Sequence, residues 1–93
     1  MIQSFGDKRT RAIYDGDTPR GFPPEFIRNA VIRLEQLNYV NRVESLQIPP
    51  SNRLEKLRGK GKAFWSIRIN DQWRIIFKWT DTGPAAVQII DYH

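Results

Sequence analysis

The side chains able to do chemistry in this chain are few. Among its 93 residues there is no cysteine and one histidine, His93, at the very end. Thiolate and imidazole metal clusters and a cysteine nucleophile are excluded on that ground. Asp15 and Asp17 are close in sequence but fall in a turn, so neither a metal nor another cofactor is expected. Gly59-Lys60-Gly61-Lys62 is glycine-rich yet lacks the Lys-Ser/Thr that completes a phosphate-cradling loop. No serine elbow for acyl transfer is present. What remains is the terminal Asp91-Tyr92-His93 and a supply of arginines. Imidazole exchanges a proton near neutral pH. Arginine offers a fixed fork of donors to a phosphate, and tyrosine stacks on a base or donates through its hydroxyl. These are the parts for cutting RNA with the ribose 2′-OH as nucleophile and no metal. The competing reading is that the terminal histidine is simply frayed.

Charge sharpens this picture. Lys and Arg number 15 against 10 Asp and Glu, a formal net charge of +5. Residues 1–52 carry 7 basic and 6 acidic side chains, whereas residues 53–78 carry 8 basic and 2 acidic ones. Residues 79–93 add only Asp81 and Asp91. A basic block on a small domain favours a polyanionic partner, since cations gain by releasing counterions from phosphates. With 40% hydrophobic and 27% charged residues, intrinsic disorder is not expected. One domain spanning 1–93 is expected from the length. No apolar run approaches the ~20 residues that span a bilayer, and residues 1–30 show no export signal, so a cytoplasmic protein is expected.

The elements that must position these residues follow from periodicity. Residues 1–5 alternate weakly and predict a short edge strand. Asp7 suits the N-cap of a brief helix over residues 8–14. Turn formers fill residues 15–21, and Pro23 and Pro24 then open a longer helix. Ile27, Ala30, Val31, Leu34 and Leu37 form its apolar stripe, running to about Asn38. A short helical piece over residues 42–46 follows, stopped by Pro49-Pro50. The period then switches to two. Ala63, Trp65, Ile67 and Ile69 predict one strand, and Trp73, Ile75, Phe77 and Trp79 a second. Residues 86–92 predict a third, with turns at residues 70–72 and 81–84. Short connections make the three strands an antiparallel meander, hence an α+β fold with helices on one sheet face. Pleat alternation puts Phe64, Ser66, Arg68, Arg74, Ile76 and Lys78 on the opposite, solvated face, with Gln88 nearby. That lane holds three cations and no carboxylate. Lys56, Arg58, Lys60 and Lys62 precede the sheet and are expected to rim it.

Asn52-Arg53-Leu54-Glu55-Lys56-Leu57-Arg58-Gly59, the hairpin Trp65-Ser66-Ile67-Arg68-Ile69-Asn70-Asp71-Gln72-Trp73-Arg74-Ile75-Ile76-Phe77, and the terminal Asp91-Tyr92-His93 together resemble the HigB toxins of the RelE/ParE superfamily. The similarity covers essentially the whole chain. It implies a RelE-like α+β fold and a metal-independent endonuclease that cleaves mRNA in the ribosomal A site. It also implies a helix-turn-helix antitoxin, HigA, as partner, with operator DNA bound only through that antitoxin, and no membrane. By the same resemblance Arg58 and Arg74 would hold the scissile phosphate, with His93 as acid or base, Tyr92 orienting the substrate and Asp91 holding the terminus. Arg53, Lys56, Lys60, Lys62, Arg68 and Lys78 would bind flanking RNA. One departure stands out: related toxins often carry a histidine three residues before the Arg58 position, where this chain has Glu55. Two alternatives stay open: a ParE-like gyrase blocker of the same fold, and a non-enzymatic RNA-binding module. The expected site is a concave, helix-free side on which guanidinium groups of neighbouring strands meet the terminal imidazole.

Overall fold

The computed structural model describes residues 1–59 and 63–91. Helix α1 spans Lys8–Tyr14 and starts where expected, because the Asp7 side chain accepts from Thr10 N at 2.7 Å. Helix α2 spans Pro24–Tyr39 and buries Phe26, Ala30, Leu34 and Leu37. Ile27 and Val31, expected in that stripe, lie half-buried on its flank. Phe26 joins the buried side instead, stacking on Phe22 (4.6 Å) and tilting against Trp73 (5.6 Å). The helical piece after α2 is a 3₁₀ segment, Val43–Gln47, followed by a second, Pro50–Asn52.

Four antiparallel strands then lie side by side in chain order: β1 (Glu55–Lys56), β2 (Trp65–Arg68), β3 (Trp73–Thr80) and β4 (Gly83–Asp91). The architecture is α+β, as the periodicity predicts. Register pairs Trp65 with Phe77, Ile67 with Ile75, and Ile75 with Ile89, so one pleat face is apolar across three strands. That face packs against the helices in a core with Ile13, Leu34, Leu37, Leu46 and Val87.

Three expectations are corrected. Residues 1–5 form no strand; Phe5 makes a single parallel bridge to Val87. Gln3 N, Gly6 N and Ser4 O still bond β4's edge, but Ala86 sits at φ 51 and turns its N–H to the Ser4 hydroxyl instead of a ladder. The sheet gains β1 from residues read as a lead-in. The helix-free face is also partly covered, because Ser66 and Arg74 are buried.

Thr10, invisible as a core residue in the sequence, is fully buried and its hydroxyl accepts from Ile89 N at 2.9 Å, tying α1 to β4. At the start of β4, Gly83 has φ 134, and a Cβ there would lie 2.3 Å from the Met1 carbonyl oxygen. Gly83→Ala is therefore expected to destabilise the protein by more than about 1 kcal/mol, seen as a lowered melting temperature; an unchanged melt would show that residues 1–5 do not need their place beside β4.

Candidate nucleic-acid interface

The site is assembled by a chain of polar contacts that begins under the 3₁₀ segments. Asn52 is fully buried, and its Nδ2 donates to Gln36 Oε1 (2.9 Å) and the Leu46 carbonyl (3.1 Å). Gln36 Nε2 in turn donates to the Ile48 carbonyl at 2.6 Å. With Asn52 fixed on α2, the next residue, Arg53, adopts a left-handed backbone (φ 46, ψ 56). Its carbonyl is thereby brought to β3, where it accepts from Arg74 Nη2 at 2.6 Å. Arg74 Nε donates to Ser66 Oγ at 3.0 Å. The guanidinium is only 7% exposed as a residue, so it is a preset fork and not a waving surface cation.

Arg74 stands directly opposite Arg68 in the β2–β3 pair. Like charges so placed repel, and each has its own partner. Arg68 forms an ion pair with Asp71, and Arg74 has the Ser66 and Arg53 oxygens. Arg33 Nε donates to the Arg68 carbonyl at 3.1 Å, holding the end of β2 to α2. The β2–β3 turn is closed by Asn70, whose Oδ1 accepts from Gln72 N (2.9 Å) and Trp73 N (2.8 Å).

On the helix-free face these residues surround an open groove of about 300 Å³, lined by Arg53, Glu55, Arg68, Asn70, Asp71 and Arg74. Three of the expected cations thus meet in one place. The expectation of a lane without carboxylates is corrected. Glu55 pairs in register with Ser66 and so shares the face, and Asp71 reaches Arg68 from the turn. The groove therefore offers a fixed guanidinium pair flanked by acceptors, suited to an anion bearing hydrogen-bond donors beside it.

The other expected residues among those described are dispersed. Arg58 is exposed in the loop after β1 and does not line the groove. Lys56 falls on the opposite pleat, with Nζ 5.1 Å from the Trp65 ring centroid. Lys78 sits toward the far end of β3 over Phe64, at 5.3 Å. Asp91 pairs with Trp73 and accepts from Gln72 Nε2 at 3.2 Å. Lys60, Lys62, Tyr92 and His93 lie outside the described residues. Sequence reasoning missed Asn52 and Ser66, the two groups that set Arg53 and Arg74. An asparagine just after Pro49-Pro50-Ser51, or a serine on the polar pleat between Trp65 and Ile67, reads as solvent-facing, and only the tertiary pairing reveals its burial. Among the described residues, no group of three or more His, Cys, Asp or Glu is placed to hold a metal ion, and no helix is long and apolar enough to cross a membrane.

Comparison with known proteins gives concordant matches. A family model described as a RelE-like toxin of the type II toxin–antitoxin system HigB matches residues 3–93. Toxin HigB-1 of Vibrio cholerae serotype O1 is 40% identical over 94 residues, covering 100% of this chain and 98% of that protein. Endoribonuclease HigB of Proteus vulgaris is 25% identical over 93 residues, covering 100% of both.

Proposed function

The chain belongs to the HigB-like family of RelE-like type II toxins, and on that premise we propose that it is an endoribonuclease that cleaves mRNA in the ribosomal A site and so stops translation. The observation that carries the reading is the convergence of Arg53, Arg68 and Arg74 on one groove of the helix-free face. The RNA-cleaving relative supports the chemistry.

The ribose 2′-OH is the nucleophile and no metal takes part. Arg74 in the groove and Arg58 on the exposed loop outside it together hold the scissile phosphate and stabilise the added negative charge of the pentacoordinate state. Such preset donors contribute most because they need no reorganisation. Arg74 meets that condition through its bonds to Ser66 and Arg53. His93 moves the proton as general acid or base, Tyr92 orients ribose or base, and Asp91 steadies the terminus. Glu55 lines the groove at the position where related toxins often carry histidine, which supports it as a second base. Arg53 and Arg68 hold neighbouring phosphates inside the groove, Lys56 and Lys78 contact RNA beyond it, and Lys60 and Lys62 are further RNA-binding cations. A loose strand is seldom aligned for in-line attack, and the ribosome supplies that alignment. The type II family implies an antitoxin partner; we assign it as a HigA-like helix-turn-helix protein through which operator DNA is bound.

Translation-coupled cleavage tests this directly. Wild-type protein is expected to cut mRNA on translating ribosomes, and Arg58→Ala and His93→Ala to lose most of that cutting. Arg58 is exposed, so its truncation leaves the fold intact. No cleavage by wild type would overturn the function, and unchanged cleavage by both variants would overturn the assigned site.

A further inference from the structure

We infer that Asp71 is an internal stand-in for a substrate phosphate: it occupies Arg68 in the free protein and must be displaced before a strand can be held there. This inference rests on the RNA-binding reading of the groove. Asp71 sits at the tip of the β2–β3 turn with its side chain 100% exposed, paired through Oδ1 with Arg68 Nη2. The turn does not need that carboxylate, because it is closed by Asn70 Oδ1, which accepts from Gln72 N and Trp73 N, and by the Trp73 carbonyl, which accepts from Ile69 N and Asn70 N. Nor is the pair a surface accident far from the site, since both partners line the groove with Arg53 and Arg74.

A carboxylate and a phosphate oxygen compete for the same guanidinium donors. A carboxylate three residues away along the chain is never diluted, and such short tethers act as an effective concentration in the millimolar range. Free RNA at lower concentration therefore meets an Arg68 that is already satisfied. A strand delivered in place by a second anchor displaces the carboxylate at little disadvantage. Asp71 thus sets the selectivity of the groove for positioned over stray RNA, a role distinct from holding the scissile phosphate.

The experiment is a binding cycle with a short single-stranded 2′-O-methyl RNA, which resists cleavage, at fixed low ionic strength. Wild type, Asp71→Asn, Arg68→Ala and the double variant are compared. Exposed ion pairs of this kind correspond to roughly two- to fivefold in affinity. Asp71→Asn is expected to bind about that much tighter, Arg68→Ala more weakly, and the double variant like Arg68→Ala. Unchanged or weaker binding by Asp71→Asn would overturn the inference, as would the same gain persisting in the Arg68→Ala background, which would mark a diffuse charge effect. If Arg68→Ala and Arg74→Lys both bind like wild type, the RNA reading of the groove itself fails, whatever Asp71 does.

Discussion

Arg74→Lys is expected to reduce ribosome-dependent RNA cleavage by about 10²–10³-fold, the loss typical when one preset donor to transition-state charge is removed. The charge survives in this variant; the geometry does not. Arginine can face Ser66 Oγ with Nε and the Arg53 carbonyl with one terminal nitrogen while its planar fork stays fixed in direction. An ammonium on a flexible stem cannot hold both directions and that orientation at once. Stability should fall too, because hydrogen bonds to charged groups contribute about 1.5–3 kcal/mol each, and about 1 kcal/mol moves the melting temperature of a domain this size by roughly 4–8 °C. Arg74→Ala is the less informative change: it takes the donor away from both the buried Ser66 hydroxyl and the Arg53 carbonyl, so lost folding and lost chemistry coincide. Cleavage rates read against thermal melts for both variants separate the two. Wild-type cleavage by Arg74→Lys would make Arg74 a structural strut for the Arg53 segment and nothing more.

The same residue shows what the sequence can and cannot disclose. Period-two alternation puts Trp73, Ile75 and Phe77 on one face and Arg74 on the other, and the register of β2 with β3 agrees residue for residue; β4 follows it from Trp73 to Ile76, then shifts between Ile76 and Lys78 and runs back to Gly83, inside the residues expected to turn. Alternation is a local property of the backbone, so it is legible without knowing the fold. What covers a face is not local. Arg74 is bonded on that face to the carbonyl of Arg53, 21 residues away, whose left-handed turn follows Asn52 reaching back to Gln36 on α2. No period or composition encodes that chain of contacts. Strand β1 escaped notice for a different reason, since two residues are too few to display a period. Asp71 read as a turn former, which it is. Its second role appears only once the hairpin sets it beside Arg68.

Phe77→Ala is expected to produce the largest loss of stability, about 3–5 kcal/mol, from the transfer term of a large ring plus the cavity it leaves. Phe77 is fully buried, pairs with Trp65 across the sheet and belongs to the cluster that joins β3 to α2. A domain of 93 residues has roughly 5–14 kcal/mol in all, so the variant should melt far lower and be largely folded only at low temperature. Its effect on the groove should nevertheless be small. Phe77 points to the helix side, whereas Ser66, Arg68 and Arg74 belong to the opposite pleat. Binding of the 2′-O-methyl RNA at low temperature, corrected for the folded fraction by circular dichroism, should therefore match wild type within about twofold, the range of effects seen for distant, independent sites. A large affinity loss per folded molecule would mean that the guanidinium geometry is set by core packing through the sheet. Unchanged affinity would assign it to the Asn52–Arg53 segment lying over the other face, and would make that short connection, together with the sheet, the determinant of the site.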